Sequence, residues 1–159
     1  MYHQQFNVQI MQKIYFLLKI IIIYLFFISL GFTSKSSYLD EGKVLFEKKE
    51  FDKSKIFFEK DIVFNPKSEI SYLYLAKIFN NNDNDLEEEI NLDNVLLLNP
   101  KNDEAIYMLT LLKIKQSDYD GGKKLIKKFN LVCIDLCLKS AEIQEKFDKL
   151  VPKDASDNN

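Results

Sequence analysis

"FNPKSEISYLYLA", Phe64 to Ala76, returns 34 residues later as "LNPKNDEAIYMLT", Leu98 to Thr110, with the Asn-Pro-Lys step in the same place. Self-similarity at a fixed interval of this size marks a solenoid: each copy is a supersecondary unit that cannot bury its apolar face alone and stacks on its neighbours. Phased so that proline falls near the end of a unit, the copies run 35–68, 69–102 and 103–136. Equivalent positions then agree well beyond three letters. Tyr38, Tyr72 and Ile106 coincide near the start, and Gly42, Ala76 and Thr110, all small, follow four residues later. Leu45 matches Phe79, then Phe58, Leu92 and Ile126 coincide, and Phe64, Leu98 and Val132 precede the Asn-Pro step or its equivalent. Large residues beside small ones predict close helix packing.

Within a unit the period is helical. In "YLDEGKVLFEKK" the residues Tyr38, Leu39, Gly42, Leu45 and Phe46 fall on one face, and in "FDKSKIFFEKDIVF" Phe51, Ile56, Phe57, Phe58, Ile62 and Phe64 do likewise. Two helices fit in each unit, with breaks at "KKEFD", "NNNDND" and "KQSDYD" inside units and at "NPKS" and "NPKN" between them. Pro66 and Pro100 cannot continue the preceding helix, and Ser68 and Asn102 are placed to cap the next. Asn-Pro-Lys is therefore a helix stop, reset once per helical hairpin.

These residues resemble the tetratricopeptide repeat family over about 35–129: a large residue at Tyr38 and Tyr72, a small one at Gly42 and Ala76, an aromatic or aliphatic one at Leu45 and Phe79, and proline at Pro66 and Pro100. Departures are Asp61 and Glu88, where the family prefers alanine, Lys113, where it prefers a large apolar residue, and Ile134 in place of proline. The family's Trp is absent, with Tyr in its site. The resemblance implies an all-α, right-handed α-solenoid of about three hairpins whose first helices line a concave, protein-binding surface. Phased on that pattern, Leu39, Lys43 and Phe46 face inward from the first unit, Tyr74 and Lys77 from the second, and Tyr107, Met108 and Leu111 from the third. Such a face suits a partly apolar, acidic segment, because exposed apolar surface marks interaction sites and the two lysines favour carboxylates. Leu39, Tyr74, Glu104 and Met108 stand where chaperone-tail clamps present Lys, Asn or Arg, so a free C-terminal carboxylate is not the expected ligand. The alternative is that the carboxy-terminal cap or the amino-terminal segment fills this groove.

The repeats extend over 35–139, and beyond Phe129 the pattern changes. Ser140 is placed to cap a helix over 140–151 with Ile143, Phe147, Leu150 and Val151 on one stripe, which covers the last repeat as a solenoid end requires. Residues 152–159 read as a disordered tail. Cys133 and Cys137 are not spaced as the C-x-x-C of redox enzymes. They are read as a structural disulfide in preference to two buried thiols, since an exported chain oxidises nearby cysteines.

The amino terminus is a separate object, residues 1–34. "IIIIYLFFISLGF", Ile20 to Phe32, is uncharged, preceded by Lys13 and Lys19 and followed by "TSKSS", as in a signal peptide. Read back to Ile14 it is about long enough to span a membrane. Cleavage near Ser34 to Ser37 and a retained anchor both stay open, Met11 is a possible true start, and either reading exports the chain.

Composition narrows the chemistry. With 159 residues, 47% hydrophobic, the chain suffices for one domain with a real core. Every one of the 22 basic residues is Lys, which argues against nucleic acid, where Arg supplies bidentate forks. The single His3 precedes the repeats, so no His base or His metal ligand serves the folded part. Four glycines make no phosphate-cradling loop, and Gly121-Gly122 reads as a close helix crossing. "NNNDNDLEEE" alternates Asn81, Asp83 and Asp85 like a calcium loop, yet Leu86 and Leu92 stand where its Gly and Glu belong, so it is read as a solvated turn with Asp85 capping a helix from Leu86. Lys123, Lys124, Lys127 and Lys128 are read as a solvated face complementing a helix C-terminus. No enzyme, cofactor or metal is expected. The expected function is a monomeric adaptor of the cell envelope that binds a protein or peptide and meets the membrane only through its amino-terminal segment. A membrane-anchored structural subunit of a stable envelope or secretion assembly is the alternative.

Overall fold

The computed structural model describes residues 11, 15–22 and 37–150. The chain divides into two units, Met1–Lys35 and Ser36–Asn159. In the first, residues 15–22 are helical and exposed; no helix among the described residues is long and apolar enough to cross a membrane. Most of the segment read as an export signal, Val151 of the cap stripe and the 152–159 tail lie outside the described residues.

In the second unit the chain forms α1 (Tyr38–Glu47), α2 (Phe51–Phe64), α3 (Glu69–Asn81), α4 (Asp85–Leu98), α5 (Asp103–Lys115), α6 (Tyr119–Val132), a 3₁₀ turn (Cys137–Lys139) and α7 (Ser140–Leu150). The pairs α1–α2, α3–α4 and α5–α6 are hairpins, each packed on the next, and α7 lies against α5 and α6. The turns inside the hairpins are one structure built three times. Lys49, Asp83 and Ser117, spaced by the repeat, all have φ between 51° and 61°. After each, the N–H of Glu50, Asn84 or Asp118 donates to the carbonyl of Leu45, Phe79 or Lys113 at 2.9 Å. That geometry normally selects glycine, so these side chains carry a local strain that the flanking helices hold in place.

Packing follows the repeat. A Cβ on Gly42 would lie 2.7 Å from the Phe58 ring, which explains a small residue opposite a large one. Leu73, Ala76, Leu92, Val95, Ala105, Leu109 and Leu112 make one core cluster between the second and third hairpins. Ile106, Ile114, Ile126, Phe129, Ile143 and Phe147 make another between the third hairpin and α7. Gly122 sits in that crossing, where a Cβ would meet Phe147 at 3.4 Å.

Four expectations need correction. Asn84, not Asp85, caps α4, its side chain accepting from the N–H of Glu87 at 3.3 Å. Ser68 occupies the cap position of α3, but its hydroxyl donates instead to Ser71, which donates in turn to the buried Asp61 at 2.5 Å. Ser140 is the first residue of α7 and donates to Asn130, while Leu150 is exposed, so among the described residues of the expected stripe Ile143 and Phe147 are the buried ones. Finally, the last turn of α6 holds no basic residue. Lys123 to Lys128 lie along its middle, where the helix dipole has little hold on them.

Candidate functional site

The eight residues expected on the inner face, Leu39, Lys43, Phe46, Tyr74, Lys77, Tyr107, Met108 and Leu111, lie on α1, α3 and α5 and are all half-buried. Contacts run across the three helices. Phe46 of α1 meets Tyr74 of α3 edge to face at 4.9 Å, and Tyr74 also stacks on Phe58 at 4.8 Å. The Lys77 ammonium lies 5.0 Å from the Tyr74 ring centre and 2.8 Å from the Glu104 carboxylate of α5. Tyr74 is thus a joint between the first and second hairpins. Lys77 is already answered by Glu104, which leaves Lys43, of the two lysines expected to face inward, with no ion pair among the described residues.

Tyr107 is drawn to the cap. Its hydroxyl donates to Glu142 of α7 at 3.1 Å and its ring lies 6.2 Å from Phe129. Burial pushes the phenol up, and the adjacent carboxylate adds to it. Lys139, Lys146 and Tyr107 hold Glu142 down to about 2. The third unit's Tyr107 is therefore in contact with α7 through Glu142. Met108 packs on the core cluster between the second and third hairpins. Lys43, Met108 and Leu111 remain the residues least engaged by rings or by the cap.

The family departures have physical answers. Glu88, in an alanine position, is buried, and both its carboxylate oxygens accept from the Asn80 side-chain amide, at 3.1 and 3.0 Å. Burial raises its pKa, and neither that amide nor Lys115 cancels the rise. Asp61 is held by Ser71. Lys113 escapes burial by reaching Glu89 at 2.5 Å and Asp118 at 3.8 Å. Cys133 and Cys137 are joined, their Cα atoms 5.2 Å apart.

Sequence reasoning missed two features. One is a grip on the closing turns: Glu69 accepts from the side chains of Asn99 and Asn102, and Asp103 accepts the backbone N–H groups of Ile134, Asp135 and Leu136. Its signal was an acid at the first position of two units. The other is an open recess of about 430 Å³ on the first hairpin, lined by Val44, Leu45, Lys53 and Phe57 among others. Leu45 matches the buried Phe79, so repeat arithmetic already marks this as the face that lacks a preceding unit.

The crystal structure of the Sgt2 TPR domain from Aspergillus fumigatus is similar to this chain, with a TM-score of 0.60 at 18% identity, covering 70% of this chain and 78% of that one. No protein-family model matches the chain, and no curated protein matches it. The fold is TPR-like: a right-handed α-solenoid of three helical hairpins closed by a capping helix.

Proposed function

We propose that this chain is a non-enzymatic adaptor that holds a peptide segment or partner protein along the inner face of α1, α3 and α5, and that it does so in the cell envelope. The observation that carries the reading is a line of half-buried side chains on the three first helices, aromatic or aliphatic on all three and with a lysine on α1 and on α3, which Phe46, Tyr74, Lys77 and Glu104 link into one surface. A surface of aromatic and aliphatic groups with few charges is the kind that anchors a protein partner. The lysine-flanked apolar run before the repeats and the joined cysteines support an exported location. With Lys77 paired, the segment bound is more apolar than acidic, its negative charge placed opposite Lys43.

Selection of peptides from a random library by the full chain tests this. Lys43→Glu combined with Leu111→Asp should weaken the selected peptides more than tenfold, about 1.4 kcal/mol or greater, at an unchanged melting temperature. Undiminished binding by this variant would place the ligand elsewhere.

A further inference from the structure

Independently of the groove, one edge of the repeats carries a row of aliphatic side chains in solvent. Alternating short turns place the turns inside hairpins at one edge, and the turns between units, with the chain's entry at Ser37, at the other. At this second edge Val63, Leu97 and Leu131, spaced by the repeat, are 77%, 79% and 85% exposed, and Leu138 is 97% exposed. Singly placed surface aliphatics mean little, but recurrence at one position of every unit makes a row.

Lysines accompany them. Lys60, Lys67, Lys101 and Lys127 are exposed, and with the half-buried Lys128 they make no ion pair among the described residues. Carboxylates at the same edge are largely engaged: Glu69 and Asp103 hold the closing turns, and Glu59 pairs with Lys55 at 3.5 Å. Asp40, Asp93 and Asp135 are the exposed acids there, and Asp40 accepts from the Ser37 hydroxyl at 2.7 Å. The other edge presents Asp83, Asp85 and Asp118 beside Lys48 and Lys49, and there Leu86 is exposed singly, so an aliphatic row repeated from unit to unit beside unpaired lysines belongs to one edge. Leu138 stands on a turn tied by the Cys133–Cys137 bond and by the N–H bonds to Asp103, a protrusion already ordered.

We propose that this edge docks on an anionic lipid bilayer, the lysines meeting headgroup charge and Val63, Leu97, Leu131 and Leu138 entering the interfacial layer. A protein partner would have to supply both an apolar trough and a run of carboxylates over three units, whereas an anionic bilayer presents both everywhere. The apolar run Ile20–Phe32 is only four residues from Ser37, so the covalent chain also enters at this edge.

Because the chain has no Trp, a single reporter reads the contact. The full chain carrying Leu138→Trp is reconstituted with vesicles of phosphatidylcholine alone, and of phosphatidylcholine mixed with phosphatidylglycerol. On the mixed vesicles the emission should shift to the blue and be quenched by lipids brominated on their acyl chains; on phosphatidylcholine it should do neither. An Asn82→Trp reporter at the opposite edge should stay aqueous in both. Lys101→Glu with Lys127→Glu should reduce the mixed-vesicle response by more than tenfold in lipid titration, since each lysine near such a surface accounts for roughly fivefold. An aqueous Leu138→Trp signal on mixed vesicles overturns the proposal. So does an equal shift on phosphatidylcholine, which the apolar run alone would give, or a shift set by protein concentration, which a second copy would give.

Discussion

The turns that close the second and third hairpins occupy the same place in the repeat and are held from the same place, the first residue of their own hairpin, yet by different donors. At the second, Glu69 accepts from the side-chain amides of Asn99 and Asn102 at 3.0 and 2.5 Å. At the third, Asp103 accepts three backbone N–H groups at 2.8 to 3.0 Å, the first from Ile134. Pro100 has no N–H to give, so where proline stops the helix the carboxylate is met by asparagine side chains. Ile134 stands in proline's position and supplies the missing N–H. The lost proline is therefore a change of fastening at the end of the solenoid, where the chain turns to bring α7 over the third hairpin.

The largest test of this difference is Phe147→Ala, which empties the contact between α7 and the third hairpin and should cost about 3 kcal/mol. Hydrogen exchange should show α5 to α7 loosened and α1 to α4 little changed; uniform loosening would mean that the two ends do not differ. Next, Asp103→Ala should cost about 2 kcal/mol in chemical denaturation, as a charged acceptor of three bonds, against about 1 kcal/mol for Glu69→Ala. Equal losses would remove the distinction between the two turns. Burial pushes Asp103 up, but the N–H groups of Ile134, Leu136 and Asp135 outweigh it and hold the carboxyl below its usual range. Its contribution is thus present above the ordinary value of 3.8 and lost as pH falls through the lowered one. Asp103→Asn should flatten the acid side of the stability profile.

Reducing Cys133–Cys137 should cost no more than Asp103→Ala, at most about 2 kcal/mol for so short a loop, with the loss confined to α7. Glu88→Gln has the smallest expected effect and the opposite sign, stabilising by about 1 kcal/mol at neutral pH because it removes a buried charge while keeping an acceptor for Asn80. The raised pKa of Glu88 means that its favourable contribution is fully present below the ordinary 4.5 and is lost as pH rises through the raised value. A Glu88→Gln protein that gains nothing in thermal melting at neutral pH would contradict this.

Much of the hairpin architecture was legible because spacing carries it: Gly42 as a small residue at a close packing position, the Pro66 and Pro100 stops, and the cap residues Ile143 and Phe147, while the ring that meets Gly42, Phe58, came only with the structure. What period could not show was which hydrogen-bonding group uses which partner. Ser68 and Ser140 have cap-forming side chains, but a buried carboxylate in one case and Asn130 in the other drew them away. The repeat phase assigned residues to an expected inner face; that Lys77 meets Glu104 and Tyr107 meets Glu142 depends on contacts 27 and 35 residues apart, which no local pattern encodes. The lysines of α6 were assigned to a helix end because the end itself was misjudged by a turn.

The most direct test of the adaptor reading is a hydrogen-exchange footprint of the full chain with a library-selected peptide, read helix by helix. Slowed exchange on α1, α3 and α5 around Lys43, Tyr74 and Leu111, with α2, α4 and α6 unchanged, is the result expected of a ligand lying along the inner face. Protection confined to the second helices, or to the recess around Val44 and Phe57, would contradict it.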